Sequence, residues 1–232
     1  MKHINLEQVE SQLNVETDIC IIGGGVAGQT LAAELLKSDI KVSILESGDK
    51  DFRRDTQSLT NGENLGLPYY DLETTRLRMF GGTAAIWGGR CAELDPIDFE
   101  KRDYISSSGW PISKTDLVPF YEDVFASLGL NRPVGLWDKI GRAAPPFDKR
   151  KLESGLWVFD EEGERFTDMS RHILEGCEII LNTTVTDIIK KESGEISHVL
   201  AKSLTGRLAK IKAKIFVLAA GAIESALSLI HI

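Results

Sequence analysis

Apolar positions along the chain fall into short runs separated by polar stretches. Residues 19–22 (ICII) form an unbroken apolar run, which predicts a parallel strand covered on both faces. Over residues 26–37 the spacing turns helical, with Ala27, Leu31 and Leu35 on one side. Residues 41–45 predict a second strand, with Val42 and Ile44 on one face. Residues 50–76 are polar and lack a period, as expected for an excursion out of a core. Residues 116–128 predict a helix with Leu117, Phe120, Tyr121, Val124 and Phe125 along one side. After Cys177 the period falls to two. Strands are predicted over 178–181, 185–189, 196–201 and 208–213, with turns at ESGE and LTGR. Lysines alternating with apolar residues in the last of these predict a meander with one wet face. Residues 215–218 are apolar again and predict a separate, buried strand returning to the main sheet, followed by a helix starting near Ala222.

Bulk properties narrow the partners. The net charge of −8 speaks against a nucleic acid or an anionic membrane, since both need a concentrated basic face. No apolar run approaches the ~20 residues that span a bilayer. The start, MKHINLEQVESQL, lacks the apolar stretch of a secretory signal, so the chain reads as cytoplasmic. Cys20, Cys91 and Cys177 are scattered without C-x-x-C spacing. They predict small buried hydrophobes rather than disulfides or a metal site.

The first strand runs into GGGVAG, where Gly23, Gly25 and Gly28 make G-x-G-x-x-G. In that arrangement the first glycine permits a tight turn and the second lets a pyrophosphate approach the backbone. The third lets helix and strand pack closely. The helix then directs the N–H groups of Val26 and Ala27 at the phosphates. Glu46 ends the second strand 18 residues past Gly28, where an acid binding ribose hydroxyls belongs. Ser47 follows it in the same site. A carboxylate there also disfavours the 2′-phosphate of NADP. The motif itself fits FAD and NAD equally.

A second glycine cluster, MFGGTAAIWGGRCAELD over residues 79–95, separates them. Glycine pairs let a backbone approach something bulky and offer donors to anionic oxygens. A flavin, which reaches beyond the pyrophosphate, needs such a second cluster. Here the sequence resembles the glucose–methanol–choline (GMC) oxidoreductases, flavoenzymes that oxidise alcohols and sugars. GGTAAIWGG is similar to that family's second FAD segment, and VLAAGAIESA (217–226) to its later turn near the flavin. Residues 94–124 are similar to the branch containing pyranose oxidase. The resemblance implies that Gly82, Thr83, Trp87, Gly88, Gly89, Ala220 and Gly221 contact the cofactor, and that Val185 meets the adenine through its backbone. Where pyranose oxidase has a histidine bonded to FAD, this chain has Ile86, which implies a non-covalent FAD.

The fold expected from this order is α/β and Rossmann-like of the FAD/NAD(P)-binding kind: three layers, a parallel central sheet and a β-meander crossover. Residues 17–90 read as the first part of the FAD-binding domain. Residues 91–176 read as an irregular substrate-side region, and 177–226 as the domain's meander and returning strand. Residues 227–232 (LSLIHI) read as a translated sequencing adapter, making the chain a fragment incomplete at its C-terminus. The activity implied is hydride transfer from a CH–OH group of a small alcohol or sugar to flavin N5. The family's base histidine lies in a C-terminal part not matched here, so no catalytic residue, metal ligand or electron acceptor is assigned. His172, in RHILEGC, reads as structural. Another FAD or NAD enzyme of the same plan, or a non-catalytic flavin-binding module, stays open at this point.

Overall fold

The computed structural model describes residues 2–148, 150–152, 154–159 and 175–230. They form two compact units, one from the described residues up to 86 and after 174, the other from the described residues between 87 and 159. In the first unit, chain order runs β1 (Lys2–Asn5), β2 (Leu13–Ile22), α1 (Val26–Leu35) and β3 (Val42–Leu45). It resumes with β4 (Glu178–Leu181), β5 (Thr184–Lys190), β6 (Ile196–Lys202), β7 (Leu208–Leu218) and α2 (Gly221–Ile230).

The seven strands make one sheet in the order β1-β4-β3-β2-β7-β6-β5. Pairing is parallel from β1 to β7 and antiparallel in β7-β6-β5. This is the expected α/β layout of a parallel sheet with a meander. Successive residues of the ICII run face opposite sides. Ile19 and Ile21 pack with Val42, Ile44, Ile179 and Ala32, while Cys20 and Ile22 pack with Leu45, Ile180, Val199 and Ile211. Both faces are covered, which is why the run lacks polar alternation. Burial pushes the thiols of Cys20 and Cys177 up to about 12, so neither ionises near neutral pH.

Several expectations need correction. Ala27 is exposed, and Gly28, Gln29 and Ala32 form the buried side of α1 with Leu31 and Leu35 beside them. Residues 208–213 and 215–218 are one strand, because β2 begins at Leu13 and pairs with β7 from Leu13↔Ala209 to Ile22↔Leu218. Ile215 in that strand is 54% exposed, since α1 lies over β2 and β3 rather than over β7. The N-terminal residues 2–5, with no element expected, form the edge strand β1 against β4.

In the second unit a helix spans Lys114–Ser127, opened by a Ser113/Asp116 capping box. Phe125 is its buried residue, whereas Phe120 and Val124, expected on the same side, are exposed. A two-stranded ladder pairs Arg90–Cys91 with Val158–Phe159. Among the described residues there is no cluster of metal-ligating side chains, and no helix is long and apolar enough to cross a membrane.

Candidate functional site

At the C-terminal ends of β2, β3 and β7 the first unit encloses a cleft of about 560 Å³. The chain leaves β2 through Gly23 (φ 113°), where a Cβ would lie 2.5 Å from Ala219 O at the end of β7. Real Cβ atoms do not come that close, so the turn admits only glycine. A Cβ on Gly28 would meet Gly23 O at 2.1 Å; hydrogen there lets α1 press onto the turn. Gly25 differs, because nothing lies within 4 Å of where its Cβ would be. Its space opens into the cleft.

Glu46 stands at the end of β3, 6% exposed. Its Oε2 accepts from Gly24 N–H at 2.9 Å and its Oε1 from Gly48 N–H at 2.7 Å. An ionised carboxylate offers about four acceptor sites, so capacity remains for further donors. Gly48 is itself required, since a Cβ would sit 2.3 Å from Arg78 O. The second glycine cluster meets the first through Gly81 N–H, which donates to Gly24 O at 2.8 Å in an isolated parallel bridge. Arg78 donates to Ser47 Oγ at 2.9 Å and pairs with Glu224 of α2 at 2.9 Å, as Arg76 does at 2.8 Å.

Of the residues expected from sequence, Gly23, Gly25, Val26, Ala27, Glu46 and Ser47 line this cleft, with Gly82, Thr83, Val185, Ala220 and Gly221. Gly28 is buried beneath the turn. Trp87, Gly88 and Gly89 belong to the second unit. Trp87 is half-buried there, Gly88 is exposed and Gly89 is buried with φ 65°. Sequence reasoning missed Gly48, Gln29, Arg76, Arg78 and Glu224. The small residue two places after Glu46 was a usable signal for Gly48; nothing in the spacing marked the others. Among the described residues no histidine lines the cleft, and His172 lies outside them.

A family model described as FAD dependent oxidoreductase matches residues 18–229. The chain belongs to the FAD dependent oxidoreductase family. FAD is its cofactor, as the expected pairing of two glycine clusters required. Among curated proteins this FAD dependent oxidoreductase is 28% identical to 6'''-hydroxyparomomycin C oxidase of Streptomyces lividus, over 49% of this chain and 23% of that protein. It is 27% identical to 2-methyl-1,2-propanediol dehydrogenase of Mycolicibacterium austroafricanum, over 52% and 26%. Aerobic glycerol-3-phosphate dehydrogenase of Staphylococcus haemolyticus is 24% identical over 94% of this chain and 41% of its own. The chain thus spans less than half the length of these relatives. Solved structures agree on the fold. A formate oxidase superposes with a TM-score of 0.58 at 14% identity, covering 94% of this chain and 48% of that one. Pyridoxine 4-oxidase from Mesorbium loti gives 0.57 at 20% identity, covering 90% and 50%.

Proposed function

We propose that this chain is the FAD-holding part of a GMC-type enzyme that oxidises a CH–OH group of a small alcohol or sugar, with the flavin bound non-covalently. The observation that carries the cofactor reading is the open Cβ space at Gly25: the protein's own packing does not demand glycine there, but a pyrophosphate pressed against the backbone does. Gly25, Val26 and Ala27 would offer the N-terminal N–H groups of α1 to that pyrophosphate. Glu46 keeps acceptor capacity for the ribose hydroxyls, Ser47 lies beside it, and Val185 lines the cleft where an adenine is expected. Gly82, Thr83, Ala220 and Gly221 leave room along the cleft, and Trp87, Gly88 and Gly89 complete the set that the resemblance implies. Gly23 and Gly28 shape the turn.

When bound, FAD supplies the hydride acceptor. The described side chains bind and orient it, and none is assigned the base that removes the hydroxyl proton. The substrate class is supported by the names of the relatives, of which one acts on a propanediol and another is a glycerol-3-phosphate dehydrogenase. The test is anaerobic mixing of the whole FAD-loaded enzyme, of which this chain is the FAD-holding part, with primary alcohols, secondary alcohols, sugars and, as the contrasting class, amines; this chain alone, without the base, should oxidise none of them. Bleaching of the flavin absorbance by an alcohol or a sugar is expected. Bleaching by amines alone would overturn the CH–OH assignment.

A further inference from the structure

Gly24 is the point where the two glycine clusters meet. Its carbonyl oxygen accepts from Gly81 N–H at 2.8 Å and from Gln29 Nε2 at 2.7 Å. Its N–H is held by Glu46 Oε2 at 2.9 Å. Gln29 closes the first turn of α1 and is fully buried, on the side that carries Gly28 and Ala32. A buried carboxamide is unfavourable unless it is hydrogen-bonded, and the Gly24 oxygen gives this one a partner.

The peptide joining Gly24 to Gly25 is planar and trans, so its C=O and N–H point in opposite directions. Gripping the Gly24 oxygen from inside the protein therefore fixes the Gly25 N–H on the other side. Gly25 lines the cleft, and the space beside its Cα is open. The N–H so fixed points away from Gln29 and Gly81. We infer that Gln29 is a positioning residue, which aims the Gly25 N–H at the cofactor's pyrophosphate and keeps the two glycine clusters in register. This rests on the reading of the cleft given under the proposed function.

Without the Gln29 amide, Gly81 still grips the oxygen, but the peptide plane can rock about a single bond. A donor aimed at a phosphate works only when its angle is held, since hydrogen bonds weaken steeply as they bend. The effect must therefore fall on ligands that carry phosphate. Adenosine reaches the same ribose and adenine positions without any.

The experiment uses the full chain freed of flavin, titrated with ADP and with adenosine. Gln29→Met keeps the side-chain length and removes the donor. Gln29→Glu keeps the shape and sets a carboxylate against the carbonyl. Gly25→Ala serves as the control on the site itself. Gln29→Met should weaken ADP binding roughly five- to tenfold, the size of one hydrogen bond. Adenosine binding should stay within about twofold of the parent. Gln29→Glu should lose more for ADP, and it carries the same comparison if Gln29→Met does not fold. Equal losses for ADP and adenosine would mean that Gln29 only supports the fold, and the inference would fall. Unchanged ADP binding in the Gln29 variants, with Gly25→Ala still blocking ADP, would also overturn it while sparing the site. If Gly25→Ala leaves ADP binding intact, the pyrophosphate reading fails and the inference goes with it.

Discussion

Two glycines three positions apart do different work, and alanine tells them apart. A Cβ at Gly28 would lie 2.1 Å from Gly23 O, inside backbone that cannot swing aside. Gly28→Ala should therefore lower stability by about 2 kcal/mol or more, in the range of overpacked cores. At Gly25 the added methyl meets no protein atom and φ is −77°, which any residue adopts. Gly25→Ala should cost the flavin-free protein less than about 1 kcal/mol, the cost of a poorer helix cap. Its affinity for FAD should nonetheless fall about tenfold or more, because the methyl takes the space of the pyrophosphate. Thermal unfolding without flavin, set beside FAD titration, checks both. Equal loss of stability in the two variants would remove the distinction. The same contrast explains what the sequence reveals about the site. A missing side chain is a steric demand that one residue type meets, so the glycines can be read by spacing alone, as can an acid at the end of the second strand. Gln29, Arg76 and Arg78 act through hydrogen bonds and ion pairs to oxygens brought near by folding, and no period or spacing announces such contacts.

Between elements, the tight junction is the turn from β4 to β5, where Asn182 sits at φ 54° and is nearly fully buried. Its Nδ2 donates to Asn5 Oδ1 at 3.0 Å and to Asp49 Oδ2 at 2.8 Å, and its Oδ1 accepts from Arg53 at 3.2 Å. Its backbone N–H reaches Gly48 O at 2.9 Å, and Arg53 pairs with Glu7 at 2.7 Å. The end of β1, the loop that presents Glu46 and the β4–β5 turn are thus tied through one side chain. Asn182→Gly should lose these bonds at a cost of about 1–3 kcal/mol. Asn182→Ala should lose them too and add about 1 kcal/mol for a left-handed residue with a Cβ. Urea unfolding should therefore rank glycine above alanine here, opposite to their order in a helix interior. Alanine equal to or above glycine would show that the turn relaxes. The strands that carry this junction differ in how openly the sequence displays them. The apolar half of β2 reads as a continuous run because both faces are covered, and β3 reads from Val42 and Ile44 on one face. β1 did not, because an edge strand of four residues pairs on one side only and its pattern, KHIN, has no period to detect. β7 read as two strands because its lysines stop at Lys214 and the apolar run begins at Ile215. Hydrogen bonding to β2 ignores that change and carries one strand through it.

On the scale of the whole molecule, a net charge of −8 binds a cofactor that is itself anionic, so the holding force must be local. The start of α1 and the guanidinium groups of Arg76 and Arg78 bring positive potential to the cleft, and Glu46, Asp187 and Glu224 offset it in part. Such an arrangement works through many moderate contacts. Among the described residues the cleft is lined by no histidine, cysteine or tyrosine, and Ile86, where a flavin-linking histidine would stand, is an exposed aliphatic residue. Without those side chains along the cleft, binding is expected to be an equilibrium. Two measurements on purified FAD-loaded protein follow from that. Acid precipitation should leave the yellow colour in the supernatant and a colourless pellet. The thermal midpoint should climb with added FAD, since a ligand that binds only the folded state adds about 2.7 kcal/mol at a hundred times its Kd. A covalent flavin would behave otherwise in both, with a coloured pellet and a midpoint indifferent to free FAD. A coloured pellet would overturn non-covalent binding whatever the midpoint does.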